Sequence, residues 1–545
     1  MQLTKSMKLA LAGSASALAV AIGAGAPALA QIDEITVRAT KRETNLQTTP
    51  VSVTALQAEA VDSIVARDIG DVAVLVPNFS AAKVTGFNAA SFAMRGAGQT
   101  DIIVYSEPSV GVVIDDFVVP HVQTQLLDIF DIEQVEVLRG PQGTLFGKNT
   151  TAGVVSLRTK RPDLEKAGVK ASARVASYGR REGRFAVNAP IVTDTLALRF
   201  SGLYVKSDGY YRNGAEFGPL TPFVPIPGVT GATGQGDGSR LGGEDVFSGR
   251  AKLLWQPSDN FNALFQYEII RDNSDDVPSI NETPVGDPRF VFNNLGFTQD
   301  VGGDPLDNAA STGRNDQLLN MGDGHQVDVD GFYLNMEWDT GPVQITSVTG
   351  YREQQSRLPS TYTGEVGPVS LFDANRADDR ETFQQEIRFA GQLTDRFDIV
   401  AGGFYQDNDV VFCVTQVLGF LDLFGLGLPF GTFNNGGQAL CNAQDARAAA
   451  GFVDGVYQVT DRLSVGGGFR FTWEEKEWIG RNQQVYEAIL GVNANELTDP
   501  LAASDFSLAA DSVLSDSEEW SEPSWRATAS YQFTDDVYGY FTASR

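Results

Sequence analysis

From about residue 165 onward the chain is a ladder of alternating apolar and polar residues, cut by connections of two contrasting lengths. The period of two predicts strands near 168–178, 183–191, 195–207, 244–257, 260–272, 328–340, 342–354, 380–392, 396–409, 451–460, 462–477, 522–534 and 536–544. Short connections carry an aspartate-centred turn, as in Thr193-Asp194-Thr195, Ser258-Asp259-Asn260, Thr394-Asp395-Arg396, Thr460-Asp461-Arg462 and Thr534-Asp535-Asp536. Long connections span 208–243, 273–327, 410–450 and 478–521. Strict alternation of tight turns and long loops is the pattern of an antiparallel barrel crossing an outer membrane, turns in the periplasm and loops outside. A soluble sandwich has no reason to sort its connections by length.

The bulk composition is compatible with that reading. A net charge of -28 and a pI near 4.4 argue against nucleic-acid binding, where basic patches supply the affinity. Mean hydropathy is -0.14, and no run after residue 30 is long enough for a membrane helix. Alternating barrel strands escape that test, because each carries only a weak hydropathy signal. The 56 glycines and 10% aromatic residues fit a barrel with aromatic girdles, although soluble β proteins match them too.

At the other end, residues 1–30 read as an export signal. Lys5 and Lys8 form a basic start, 9–26 is apolar and small, and Ala28-Leu29-Ala30 fits a cleavage site, which makes Gln31 the mature start. An uncleaved membrane anchor is the alternative. In 32–42, IDEITVRATKR, the residues Ile35, Val37 and Ala39 alternate with Glu34, Thr36 and Arg38, and no strand partner lies adjacent. Such a segment suits addition to the sheet edge of another protein.

Residues 132–162, IEQVEVLRGPQGTLFGKNTTAGVVSLRTKRP, place two β-branched runs around a middle carrying Gly140, Pro141, Gly143, Gly147 and Gly153. The runs alternate, with Val135 and Val137 on one face and Glu136 and Leu138 on the other, which predicts a compact strand–loop–strand unit. Gly147-Lys148-Asn149 is not a phosphate loop. Gln142 stands where the first glycine belongs, and Asn149 stands where Ser or Thr belongs.

VEVLRGPQGTLFGKNTTAGVVSL resembles the signature that closes the plug domain of TonB-dependent outer-membrane receptors. The segments Ser91-Phe92-Ala93-Met94-Arg95-Gly96 and 108–116 are similar to other plug segments of that family, and 34–40 is similar to its TonB box. The resemblance implies a mainly β chain: signal peptide 1–30, TonB box segment 31–44, small α+β plug 45–162, and from 165 to 545 an antiparallel transmembrane β-barrel. Within the plug, 55–66 reads as a short helix. The family barrel has twenty-two strands, whereas about thirteen are legible and the last residue is Arg545, so the expectation is a fragment lacking the final third of the wall.

The resemblance also implies site residues. Glu34, Ile35, Thr36, Val37, Arg38, Ala39 and Thr40 would bind TonB, which works with ExbB and ExbD. Plug arginines of the family pair with barrel glutamates, so Arg95 and Arg139 are expected to latch onto Glu386 and, less directly, Glu474. The loops at 86–90 and 120–124, with Phe87, Asn88, His121 and Gln123, are expected to face the ligand. Cys413 and Cys441 fall in one long connection, where a disulfide would staple the loop base; two free thiols are the alternative. Asp272, Asp275 and Asp276 lack the helix-flanked loop of a strong calcium site, and His121 and His325 suggest no metal site. No nucleophile–base or paired-carboxylate spacing recommends catalysis, and no cofactor is implied.

The expected function is active import of a scarce nutrient, an iron–siderophore complex being the family default, by a monomer embedded in outer-membrane lipid. Sugar, cobalamin or haem uptake is the alternative within the class. A passive porin explains the barrel without the plug signature, and a secreted soluble β protein explains the leader without the loop alternation.

Overall fold

The computed structural model describes residues 35–64, 66–84, 89–99, 104–122, 125, 129–212, 216–217, 234–235, 240–275, 324–361, 372–418, 437–485, 500–504, 506 and 512–545. The chain divides into two units, one ending at Thr36, of which Ile35 and Thr36 alone are described, and the other spanning Val37–Arg545. The leader read at 1–30 lies outside the described residues.

The first part of the larger unit is a small α+β body. Its elements are β1 (Val53–Gln57), α1 (Ala58–Ser63), α2 (Ile69–Val72), β2 (Phe79–Val84), β3 (Ala89–Met94), β4 (Val110–Ile114), β5 (Phe117–Val119), β6 (Ile132–Arg139), α3 (Gly143–Phe146) and β7 (Gly153–Thr159). A five-stranded sheet in the order β1-β6-β7-β4-β5 forms its centre, with β7 antiparallel to β6 and parallel to β4. The expected helix at 55–66 starts only at Ala58, because residues 53–57 pair with β6. Asp68 caps α2 reciprocally with Asp71.

Alternation along β6 does not mean one wet face. Glu136 and Leu138 are as buried as Val135 and Val137, because both faces of the sheet are covered. Val135, Val137, Val155 and Leu157 pack in a cluster with Ile69 and Val72. Leu138 and Val154 pack on the other side with Leu145, Phe146, Val37 and the wall residue Phe452.

Among the described residues the wall is a single antiparallel sheet of thirteen strands in sequence order. They are β8 (Gly168–Val175), β9 (Arg181–Val192), β10 (Leu196–Ser207), β11 (Glu244–Ser258), β12 (Phe261–Asp272), β13 (Gln326–Asp339), β14 (Val343–Thr361), β15 (Asp373–Thr394), β16 (Phe397–Val417), β17 (Gly437–Gln458), β18 (Leu463–Val485), β19 (Ser512–Thr534) and β20 (Val537–Ser544). Each corresponds to a strand read from the sequence. The aspartate turns lie at one end together with 340–342, and the long connections lie at the other, where 176–180 is the one short exception.

Polarity across the wall is inverted relative to a soluble domain. On β15 the side chains of Thr382, Gln384, Glu386 and Arg388 are buried inside, while Phe383, Ile387 and Phe389 are 37%, 44% and 45% exposed outside. Trp255, Trp338, Phe389, Tyr457 and Tyr531 form an exposed aromatic row near the turns, and Tyr204, Phe247, Phe332 and Phe383 form a second row above it. From Trp255 to Phe247 is about eight residues, or roughly 20 Å of height at the usual strand tilt, close to the lipid-facing band of such walls.

The strands β15 to β19 run for 21 to 23 residues, about twice what a crossing requires. The connections expected at 410–450 and 478–521 therefore shrink to 418–436 and 486–511. Above the aromatic rows the outward positions turn acidic, with Glu353, Glu381, Asp409, Asp445 and Glu477 in direct register on adjacent strands. The apolar half of the alternation ends there although the strands continue. Cys413 and Cys441 accordingly sit opposite each other on β16 and β17, joined by a disulfide with Cα atoms 4.1 Å apart. Leu501 and Phe506 pack over this pair beside the turn Pro500–Ser504, leaving both cysteines buried.

Candidate functional site

The seam between plug and wall is built from alternating charges. Asp115 and Asp116 form the tip of the β4–β5 hairpin, both with left-handed backbone angles (φ 47° and 71°). The tip docks on β15: Val118 N–H donates to Gln384 Oε1 at 2.8 Å, and Gln384 Nε2 donates to Asp116 O at 3.1 Å. Asp116 then closes a ring of four charges. Lys41 Nζ lies 3.1 Å from Asp116 and 3.5 Å from Glu386, and Arg388 lies 2.6 Å from Asp116 and 2.9 Å from Glu386. Burial alone would raise the Asp116 carboxyl, but Arg388 and Lys41 outweigh it and hold it well below the usual range.

A second ring lies further toward the long-loop end. Lys148 Nζ is 2.9 Å from Glu107 and 2.7 Å from Glu474, while Lys476 Nζ is 2.9 Å from Glu107 and 3.4 Å from Glu474. Burial opposes ionisation of Glu107, yet Lys148 and Lys476 prevail and hold its carboxyl down at about 2. Lys148 is brought there by the turn after α3, where Gly147 has φ +85°. A Cβ on Gly147 would stand 2.8 Å from Arg470 Nη2 of the wall, so this position excludes side chains twice over. Further plug–wall pairs join Asp131 to Arg199 and Asp115 to Lys252.

Glu386 and Glu474 thus face plug cations, but not the expected ones. Arg139 points back into the plug, with Nη1 donating to Pro77 O at 3.2 Å and its backbone N–H donating to Ser52 O at 2.9 Å. Arg95 is exposed, adopts φ +53° and donates its backbone N–H to Asn78 O at 2.9 Å. Neither arginine pairs with Glu386 or Glu474; both lie where β6 and β3 end against the segment 77–78 of the plug itself. The lysines that reach the wall are Lys41, directly after residues 34–40, and Lys148 of the GKN turn. A lysine at a glycine turn carries no sequence signal that distinguishes it from a solvated one.

The stretch expected to be unpaired is docked. Val37, Ala39 and Thr40 are buried, and Arg38 N–H donates to the Glu136 carboxylate at 2.9 and 3.2 Å. Burial pushes the Glu136 carboxyl up, an effect that the Arg38 N–H only partly offsets. Arg42 Nη2 reaches Asp454 Oδ1 at 3.0 Å, and Arg526 holds the other oxygen of the same carboxylate at 2.8 Å. Glu34 lies outside the described residues.

At the long-loop end, Phe87, Asn88 and Gln123 lie outside the described residues. His121 is described and does not line an open surface. It is buried, with Nδ1 2.9 Å from Val104 O and Nε2 3.0 Å from Asn408 Oδ1 on β16. Burial and then the nearby Arg380 push its imidazole down to about 3. A cavity of about 800 Å³ opens between Arg67 and Lys83 of the plug and Tyr178, Arg180, Tyr210 and Tyr211 of the wall. Sequence reading missed it, since Tyr210 and Tyr211 begin what reads as a loop. Of the three aspartates weighed for calcium, Asp272 pairs with His325 at 2.9 Å, Asp275 accepts from Gly243 N–H, and Asp276 lies outside the described residues. No group of metal-binding side chains assembles among the described residues.

A small α+β body held by ion pairs against an antiparallel wall with lipid-facing aromatic rows defines a plugged outer-membrane barrel protein. Residues 45–154 match the family described as the TonB-dependent Receptor Plug Domain. The pesticin receptor of Yersinia pestis is 30% identical over 156 residues, which are 28% of this chain and 20% of that protein. The catecholate siderophore receptor Fiu of Escherichia coli K12 is 36% identical over 80 residues, 15% of this chain and 10% of its own. The crystal structure of the ferric yersiniabactin uptake receptor FyuA from Yersinia pestis matches 91% of this chain and 64% of its own, with a TM-score of 0.65 at 18% identity. The copper transporter OprC shares the fold over 91% of this chain and 63% of its own, with a TM-score of 0.57 at 13% identity. The chain therefore spans 20% of the pesticin receptor and 64% of the FyuA chain. Residues 45–154 therefore carry a TonB-dependent receptor plug domain, and the described residues share the fold of the plugged outer-membrane barrels.

Proposed function

We propose that the chain binds an iron–siderophore complex at the long-loop face and carries it into the periplasm with energy delivered by TonB. The observation that supports this most is the tethered plug: its pairing with the wall is ionic and hydrogen-bonded, and such a seam can open and reform without unfolding the wall. Residues 34–40 are the TonB-binding segment in this reading, TonB being energised with ExbB and ExbD. Glu386 and Glu474 are latch residues, with Lys41 and Lys148 as partners. Residues 1–30 are the export signal, 31–44 the coupling segment, 45–162 the plug and 165 onward the wall of a monomer. The chain makes and breaks no bond of its cargo.

The choice of iron rests on relatives named as a pesticin receptor, a catecholate siderophore receptor and a ferric yersiniabactin uptake receptor. The copper transporter with the same fold keeps a non-siderophore cargo as the second reading. Growth of a deletion strain on a panel of ferric siderophores, copper and carbon sources, with TonB present or absent, tests both. Growth defects confined to one ferric siderophore and reproduced by loss of TonB support the proposal. Uptake that persists without TonB, or without residues 34–40, refutes it in favour of a passive channel.

A further inference from the structure

The order of anchors along the chain after Thr40 has a mechanical meaning. Lys41 is held between Asp116 of the plug hairpin at 3.1 Å and Glu386 on β15 at 3.5 Å, and the next residue, Arg42, is held by Asp454 on β17. Glu386 and Asp454 belong to the wall, and both are buried. The body of the plug begins later, at β1 (Val53–Gln57). Tension entering from the N-terminal side therefore peels the docked residues 37–40 first and then meets two ties to the wall, the Lys41 tie being shared with Asp116 of the plug. β15 and β17 are paired with their neighbours along 19 to 22 residues, so they are far stiffer than the five-residue β1.

We propose that Lys41 and Arg42 form a clutch, which shares pulling force between the wall and the Asp116 hairpin and passes it in full to the plug only after the Lys41 ring opens. This rests on the reading of residues 34–40 as the coupling segment. The structure also supplies a release. Lys41 Nζ lies 5.0 Å from the centroid of the Phe146 ring, Gly147 is seated against Arg470, and Lys148 belongs to the second charge ring. Phe146, Gly147 and Lys148 are consecutive, so the two rings share one short piece of backbone. Opening the Lys148 ring from the long-loop side, where Glu107 sits, lets this piece shift and withdraws Phe146 from beneath Lys41. Lys148 then acts as a positioning residue for a contact that it does not itself make.

Single-molecule force spectroscopy on the full chain reconstituted in lipid vesicles, pulled from a handle before residue 37, tests the clutch without cargo or TonB. The wild type shows a first rupture that releases about 20 Å, the extended length of roughly six residues, and a later one from the plug. In the K41Q/R42Q double variant the first rupture is lost and the plug rupture persists, which also shows that the variant has folded. K41R restores the first rupture. K148Q shifts that first rupture to lower force although residue 148 touches neither anchor. A first rupture unchanged in K41Q/R42Q overturns the clutch, and an unchanged one in K148Q overturns the release. Because the readout needs no transport, a failure to take up iron would sink the proposed cargo and leave this result standing.

Discussion

Lys148 Nζ lies 2.7 Å from Glu474 Oε1, so a lysine of the plug's glycine turn is tied to the barrel wall across 326 residues of sequence. Both side chains are mostly buried, at 20% and 15% exposure, and each has a second partner in the ring. Removing one charge strands the others. Glu474→Ala is expected to destabilise plug seating by about 1–3 kcal/mol, below the range for fully buried pairs because water reaches this ring. Passive entry of antibiotics too large for ordinary porins, measured by growth inhibition, should rise in the variant.

Arg139 and Glu386 should separate cleanly in the same assay. Glu386→Ala leaves Lys41 and Arg388 short of a carboxylate and should raise passive permeability. Arg139→Ala removes a bond to Pro77 O inside the plug and should leave permeability at the wild-type level. Equal leakage from both variants would restore Arg139 as a latch.

Gly147→Ala asks for a Cβ where Arg470 Nη2 lies 2.8 Å away, on a backbone angle of +85°. The strain of the angle and the displacement of a buried guanidinium together should cost about 1–3 kcal/mol. Limited proteolysis should then cut the plug faster than in wild type, while the wall strands stay protected.

The Glu107 ring should tolerate mild acid. Its carboxyl falls from 4.5 in the unfolded chain to about 2 in the fold, so its contribution is complete above about pH 4.5 and is lost as pH falls toward 2. Protease resistance of the Lys148 turn should therefore be level from pH 7 to 5 and drop below pH 4.

His121 predicts a loss that already begins in mild acid. Its imidazole is held at about 3 against 6.5 when unfolded, so below pH 6.5 the unfolded chain binds a proton that the folded one refuses. Stability is fully present above pH 6.5 and declines as pH falls toward 3. Thermal unfolding of the plug should move to lower temperature between pH 7 and 5 in wild type, and His121→Gln should flatten that slope. An unchanged slope in the variant would show that another group titrates there.

Much of the wall was legible because a lipid-facing strand must alternate, and residues such as Phe383, Ile387 and Phe389 do so without interruption. Strand ends were less so. Above the lipid level Glu381 and Asp409 face water, and polar-on-both-faces strands look like loops. That is why Cys413 and Cys441, expected at a loop base, sit within paired strands. The wall side of the latch could be read because Glu386 and Glu474 lie on the inward face of strongly patterned strands. The plug side could not: whether Arg139 or Lys148 reaches the wall depends on how the plug is rotated within it, and local pattern carries no record of that rotation.

The turn Pro500–Ser504 covers a disulfide whose two cysteines are 0% and 1% exposed. A membrane-impermeant reductant must wait for that turn to lift before it can reach sulfur. The rate of reduction at the cell surface is therefore a clock for one extracellular motion, readable in living cells with no dye, spin label or engineered cysteine.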